Sequence, residues 1–302
     1  MLKTAHNLKH FSFKVRSIVE GFISGLHKSP FHGFSSEFAE HKFYNQGEST
    51  RHIDWKLFAR TEKLYIKKFQ DDTNLRCHFI LDTSSSMYLK PEKAKDELDS
   101  KIGFSALCIA SICKLLAKQR DAFGLSFFDK ELRLFLNEKN SQKHYRLLEH
   151  QLSHIIAQDQ KTTRTDFYSN FEFIANKIRR RSVVVLFSDM LSSERDQLLD
   201  ALKLFKYKKA KVILFHVLDH QQENDFVFKN NALKFKDLET GQSIQLFTDA
   251  YQSAYQTYMQ EYTAALKSVC LQYKISYVSA DINSDFQKIL ETYFIENQIL
   301  RS

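Results

Sequence analysis

An α/β fold with a doubly wound, mostly parallel sheet follows from three features of the sequence. Short runs at 77–81, 182–187 and 212–217 carry Val, Ile, Leu and Phe with almost no polar residues, as strands buried on both faces require. Helical patterns separate these runs, which is the rhythm of crossover units that place helices on both faces of a sheet. Each run then stops at carboxylates or hydroxyls: Asp82, Ser188-Asp189 and Asp219. In open α/β sheets, chemistry gathers at such carboxyl ends.

Taken in order, residues 8–26 place Phe11, Val15, Ile18, Val19, Phe22 and Ile23 at helical spacing, closed by Gly25 and then Pro30. Residues 27–50 show no period and read as an ordered loop region; 64–69 reads as a short strand. Strand 77–81 leads into Asp82-Thr83-Ser84-Ser85-Ser86 and a long helix over 94–118. Strands 123–128 and 132–136, parted by Asp129-Lys130-Glu131, suggest a hairpin. Helices over 144–156 and 167–178 precede strand 182–187, and a helix over 194–205 precedes strand 212–217. A small β excursion occupies 226–247. A helix over 250–271, a strand over 275–278 and a helix over 286–299 complete the chain. The expected division is an N-terminal segment, 1–75, and an α/β domain, 76–302.

Composition narrows the class. With 302 residues, 43% of them hydrophobic, and only 7 Gly and 2 Pro, the chain is neither disordered nor collagenous. The 27 Phe predict an aromatic-rich core. Lys and Arg exceed Asp and Glu by 44 to 36, a net charge of +8. The cations are scattered except for Lys206, Lys208, Lys209 and Lys211, which read as a solvated helix end where cations offset the macrodipole. Charge alone therefore predicts no nucleic-acid partner. Cys77, Cys108, Cys113 and Cys270 form no C-x-x-C and sit in apolar stretches, as buried thiols of a reducing compartment do. The most apolar run, 102–116, is too short for a bilayer span, and the first residues lack a secretory h-region. A cytoplasmic protein without a transmembrane segment is expected.

Asp82-x-Ser84-x-Ser86 carries the chemistry. Alternate residues of an extended segment point the same way, so these three side chains share one side of a strand-end loop. They offer hard oxygen ligands, suited to Mg²⁺ or Mn²⁺, and Asp189 supplies a second carboxylate. The competing reading has Asp82 and Ser84 as helix caps. Thr162, Thr163 and Thr165 precede a helix and compete for a third place beside the strand ends, where Asp166 reads as that helix's cap. Enzyme motifs are missing: no G-x-S-x-G elbow, P-loop or G-x-G-x-x-G occurs. The histidines lack zinc-binding spacing. Around the only tryptophan, Arg51, Asp54, Trp55, Lys56 and Arg60 form a mixed-charge group. It reads foremost as an ion-pair and aromatic cluster that docks the N-terminal segment, and secondarily as a partner-binding surface.

The strand-end residues resemble the von Willebrand factor A fold and its metal-ion-dependent adhesion site. The resemblance places Asp82, Ser84 and Ser86 in the first loop, Thr165 in the second and Asp189 in the third. Thr165 is preferred because the family often has Thr-Asp just before the helix. It implies that these residues hold the metal and that a partner's Asp or Glu completes the shell. Upstream, Ser24-Gly25-Leu26-His27-Lys28-Ser29-Pro30, Tyr44-Asn45-Gln46-Gly47-Glu48, Arg51-His52-Ile53-Asp54-Trp55-Lys56 and Ala59-Arg60-Thr61 resemble the bacterial domain-of-unknown-function-58 family. Glu48 departs from the Asp common there. Members often accompany MoxR-type AAA+ ATPases, which implies a metal-dependent protein-binding adaptor in a chaperone-like role. The alternatives are a Mg²⁺-dependent phosphatase or hydrolase and a basic nucleic-acid binder.

Overall fold

The computed structural model describes residues 2–25, 38–43, 55–69, 75–129, 131–157, 167–191, 195–228, 232–236, 243–285 and 288–289. Two compact units divide the chain: Met1–Phe22 with Arg76–Ser302, and Ile23–Leu75.

Helix α1, Leu2–Gly25, opens the chain. The smaller unit holds β1, Phe38–Phe43, α2, Trp55–Thr61, and β2, Tyr65–Phe69. β1 and β2 pair antiparallel, with a register shift between Phe38 and Glu40. Residues 27–50 were expected to be loop throughout; β1 corrects this. Phe38-Ala39-Glu40-His41-Lys42-Phe43 lacks clean alternation, so its strand character comes from pairing with β2.

The larger unit is the α/β domain. Its elements are β3, Arg76–Asp82, α3, Lys101–Lys118, β4, Ala122–Phe128, β5, Leu132–Lys139, α4, Gln142–Ile156, and α5, Phe167–Lys177. Next come β6, Val183–Ser188, α6, Arg195–Tyr207, and β7, Lys211–Leu218. A hairpin of β8, Ala232–Lys236, and β9, Ser243–Phe247, precedes α7, Thr248–Gln272, and β10, Ser276–Asp281. The helix expected over 286–299 lies outside the described residues except at 288–289.

Six strands form the main sheet in the order β10-β7-β6-β3-β4-β5. All neighbours are parallel except β4 and β5, the expected hairpin. The chain starts at β3, winds outward through β4 and β5, then returns to β6 and winds the other way. The switch point therefore lies between β3 and β6, and the crevice beyond their carboxyl ends is where α/β folds place function.

Alternation along the strands sorts the core. Ile80, Val184, Leu186, Val212 and Leu214 pack with Phe171 and Ile174 of α5, Ala201, Leu202 and Phe205 of α6, and Leu266 and Cys270 of α7. On the other face Phe123, in register with Cys77, meets His144 and Tyr145 of α4. The core is aromatic, as 27 Phe predict; Phe187 and Phe215 stack at 4.6 Å and Phe128 meets Phe171 edge-on at 5.1 Å. All four cysteines are buried free thiols.

α3 begins later than the expected residue 94. Short 3₁₀ turns at Ser85–Tyr88 and Glu97–Asp99 come first, and Ser100 caps α3 by accepting from Gly103 N at 3.1 Å. A Cβ on Gly103 would meet the Glu97 carbonyl oxygen at 2.5 Å, so only glycine lets the helix start against that turn.

Candidate functional site

Asp82 is the last residue of β3 and is buried. Its Oδ1 accepts from Ser84 N at 2.9 Å, and its Oδ2 accepts from the Ser188 hydroxyl at 2.7 Å. Thr83 ties the loop to β4: its amide and its hydroxyl both donate to the Phe128 carbonyl. The Ser84 and Ser86 hydroxyls lie 3.2 Å apart. Ser84 stands at the N-cap of the 3₁₀ turn but makes no side-chain cap hydrogen bond, so the helix-cap reading does not describe its hydroxyl.

From β6, the Ser188 hydroxyl also accepts from Met190 N at 3.0 Å. Met190 has φ 56°, a left-handed backbone costly for a bulky residue. The Ser188 contact and a hydrogen bond from the Tyr262 hydroxyl to the Met190 carbonyl hold it there. This bend sets Asp189 beside Asp82. His216 of β7 supports it from below, with Nε2 2.9 Å from the Asp189 carbonyl and Nδ1 2.7 Å from the Tyr277 hydroxyl. Burial pushes His216 down to about 4, so the ring is neutral. Its partners assign the proton to Nε2, which donates to the carbonyl, while Nδ1 accepts from Tyr277.

Lys101, in the first turn of α3, is fully buried and extends into the same cluster. Its Nζ donates to Asp189 Oδ2 at 2.7 Å and to Glu223 Oε1 at 2.5 Å. Glu223 sits in a π turn after β7, and its Oε2 accepts from Asp219 N at 2.9 Å. Burial would raise the Asp189 carboxyl, but the Lys101 ammonium, followed by the Ser86 hydroxyl, holds it below the usual range. Asp82 moves the other way, raised first by burial and then by the charge of Asp189. Glu223 is also raised by burial. Asp189 and Glu223 thus share one ammonium, while Asp82 beside them has no ion pair among the described residues, and burial favours its protonated form.

The structure brings Asp82, Ser84, Ser86 and Asp189 together. Thr162, Thr163, Thr165, Arg51 and Asp54 lie outside the described residues, as does the Trp55 side chain; Arg60 is exposed in the last turn of α2. Among the described residues, no three His, Cys, Asp or Glu converge as a metal-holding group. The convergent set is instead two carboxylates with serine hydroxyls, oxygen donors throughout, and that chemistry suits a hard divalent cation. The sequence reading missed Lys101, Ser188, His216 and Glu223. Lys101 did carry a signal, because a cation in a helix's first turn opposes the macrodipole and needs anions nearby.

A doubly wound α/β sheet of this order, with hydroxyls and carboxylates clustered at its switch point, is the architecture that the resemblance to the von Willebrand factor A fold implies. The chain belongs to the family described as "Protein of unknown function DUF58", whose sequence model matches residues 40–265. An uncharacterized protein of Mycobacterium tuberculosis, Rv1480, is 28% identical over 85 residues, 28% of this chain and 27% of that protein. The match therefore spans about a quarter of the length of that curated relative. Among solved structures, the conserved hypothetical protein BatB from Bacteroides thetaiotaomicron is similar over 76% of this chain and 100% of that one, at 12% identity and TM-score 0.47. The SpRpn10 VWA domain is similar over 73% and 95%, at 12% identity and TM-score 0.36. No helix among the described residues is long and apolar enough to cross a membrane.

Proposed function

We propose that the protein is a divalent-cation-dependent protein-binding module, acting in the cytoplasm with a MoxR-type AAA+ ATPase in a chaperone-like role. One observation carries the reading: the carboxylates of Asp82 and Asp189 and the hydroxyls of Ser84 and Ser86 converge at the switch point, with Lys101 paired to Asp189 and not to Asp82. Those four residues, with Thr165 from the family pattern, would hold Mg²⁺ or Mn²⁺. Such a cation would supply an electrophilic centre for an Asp or Glu of the partner. The ATPase itself and the chaperone-like role follow from family resemblance alone.

The test is the affinity of the ATPase for the protein in Mg²⁺ and in EDTA, with wild type and Asp82→Ala. Chelation and the substitution should each weaken the complex by a few kcal/mol, roughly the cost of truncating one partner of a buried charge pair. Affinity unchanged by both would overturn the reading. Metal-dependent phosphoester hydrolysis lost with Asp82 would favour the phosphatase alternative instead.

A further inference from the structure

At the opposite end of the strands, three helix-to-strand turns lie side by side. They precede β6, β7 and β10, which are adjacent in the sheet, so the row spans about 10 Å at ordinary strand spacing. Arg181 N donates to the Lys208 carbonyl at 3.0 Å, joining the first two turns. A pocket of about 180 Å³ joins the second and third, between Lys206, Lys209, Lys274 and Tyr273 over a floor including Val212 and Ile275.

Segments 177–182, 203–211 and 267–275 contain eleven Lys or Arg residues and no Asp or Glu. Without them the chain has 33 cations against 36 acids, so these helix ends and the turns that follow them account for the net positive charge. Reading the lysines as helix-end compensation fails on magnitude. Three helix carboxyl ends present about half a negative charge each, far less than eleven cations. Lys203 is occupied, lying over the Tyr273 ring at 4.6 Å and paired with Asp200. Lys206, Lys209 and Lys274 have no ion-pair partner among the described residues, and all three are exposed. Arg179, Arg180 and Arg181, exposed beside them, add guanidinium forks that match phosphate geometry.

We infer that this basic end is a phosphate-binding site, seating one phosphate group in the pocket among Lys206, Lys209 and Lys274. The ligand is a phosphate-bearing anion, either a free compound or an anionic lipid headgroup. The site is separate from the carboxylate cluster and does not depend on it.

Titration calorimetry with pyrophosphate, and co-sedimentation with phosphatidylglycerol or phosphatidylcholine vesicles, test the inference in EDTA, where divalent cations at the far cluster contribute nothing. The pocket variant combines Lys206→Gln, Lys209→Asn and Lys274→Asn, because Lys209 and Lys274 have φ 53° and 56° and Asn tolerates that backbone. Lys206→Gln alone avoids both left-handed positions. A control removes equal charge elsewhere through Lys93→Gln, Lys95→Gln and Lys143→Gln. Pyrophosphate binding weakened at least about tenfold by the pocket variant, and less by the control, would support the site with a free ligand. The same pattern with phosphatidylglycerol vesicles alone would support it with a headgroup. Binding of neither probe, or equal loss in pocket variant and control, would overturn it.

Discussion

Lys101 Nζ lies 2.7 Å from Asp189 Oδ2, joining the first turn of α3 to the carboxyl end of β6 across 88 residues of sequence. The contact is fully buried, and Glu223 completes it from the β7 side. The ammonium thus fixes the carboxylate that faces Asp82, while Asp82 itself has no ion pair among the described residues. Structure and proposed function share this point, because the same carboxylate anchors the fold and lines the site.

Lys101→Met should therefore destabilise strongly. Removing one partner of a buried ion pair leaves Asp189 and Glu223 uncompensated, at a cost of about 3 to 5 kcal/mol. Adding Glu223→Gln should restore part of the loss. Urea unfolding of the single and double variants measures both effects. A double variant no more stable than the single would show that charge is not the cause.

The second buried pair predicts acid sensitivity. His78 Nδ1 is 2.7 Å from Glu138 Oε1, and its Nε2 is 2.7 Å from the Ser126 hydroxyl. Burial alone would raise the Glu138 carboxyl, but the His78 hydrogen bond and charge outweigh it and hold the group below its ordinary 4.5. A depressed folded value contributes stability that is present above about pH 4.5 and lost as pH falls through the lowered value. Glu138→Gln should cost about 1.5 to 3 kcal/mol at pH 7 and flatten the acid limb of the stability profile. Denaturant midpoints across acid pH check it; an unchanged acid limb would contradict the assignment.

Thiol chemistry offers a simple check on the core. Burial raises all four cysteine thiols, Cys270 to about 11, so the thiolate needed for reaction is scarce as well as enclosed. Ellman's reagent should find no fast-reacting thiol in the native protein and four after unfolding in guanidinium. One thiol reacting at the rate of a free peptide would mean that part of this core is open.

Arg120 supplies a backbone test. It closes α3 at φ 62°, is exposed, and its carbonyl accepts from Asn140 Nδ2 at 3.1 Å. Arg120→Gly keeps that hydrogen bond and relieves the left-handed strain, so stability should rise by about 1 kcal/mol. A fall in the thermal midpoint would contradict it.

Much of the architecture was legible because its signal is local. β3, β6 and β7 are short apolar runs, and a parallel sheet buried on both faces permits little else. Asp82 and Asp189 were legible for the same reason, standing where such runs stop. β1 was not, since its residues gain strand character only from β2. Lys101 and Glu223 were hidden by distance, their contact spanning 122 residues, although the lysine's place against the helix dipole hinted at an anionic partner. The lysines at 206–211 were visible singly, but only the fold sets them beside Arg179–Arg181 and Lys274.

Calorimetric titration of Mn²⁺ into the folded protein, beside Asp82→Asn, tests the central claim most directly. That substitution keeps side-chain size and the hydrogen bond with Ser84 N while removing the charge. The account predicts one Mn²⁺ per wild-type chain, competed by Mg²⁺, and loss of that binding in an Asp82→Asn protein that still unfolds cooperatively. Wild-type protein that binds no Mn²⁺, or a variant that binds it with unchanged affinity, would contradict the account.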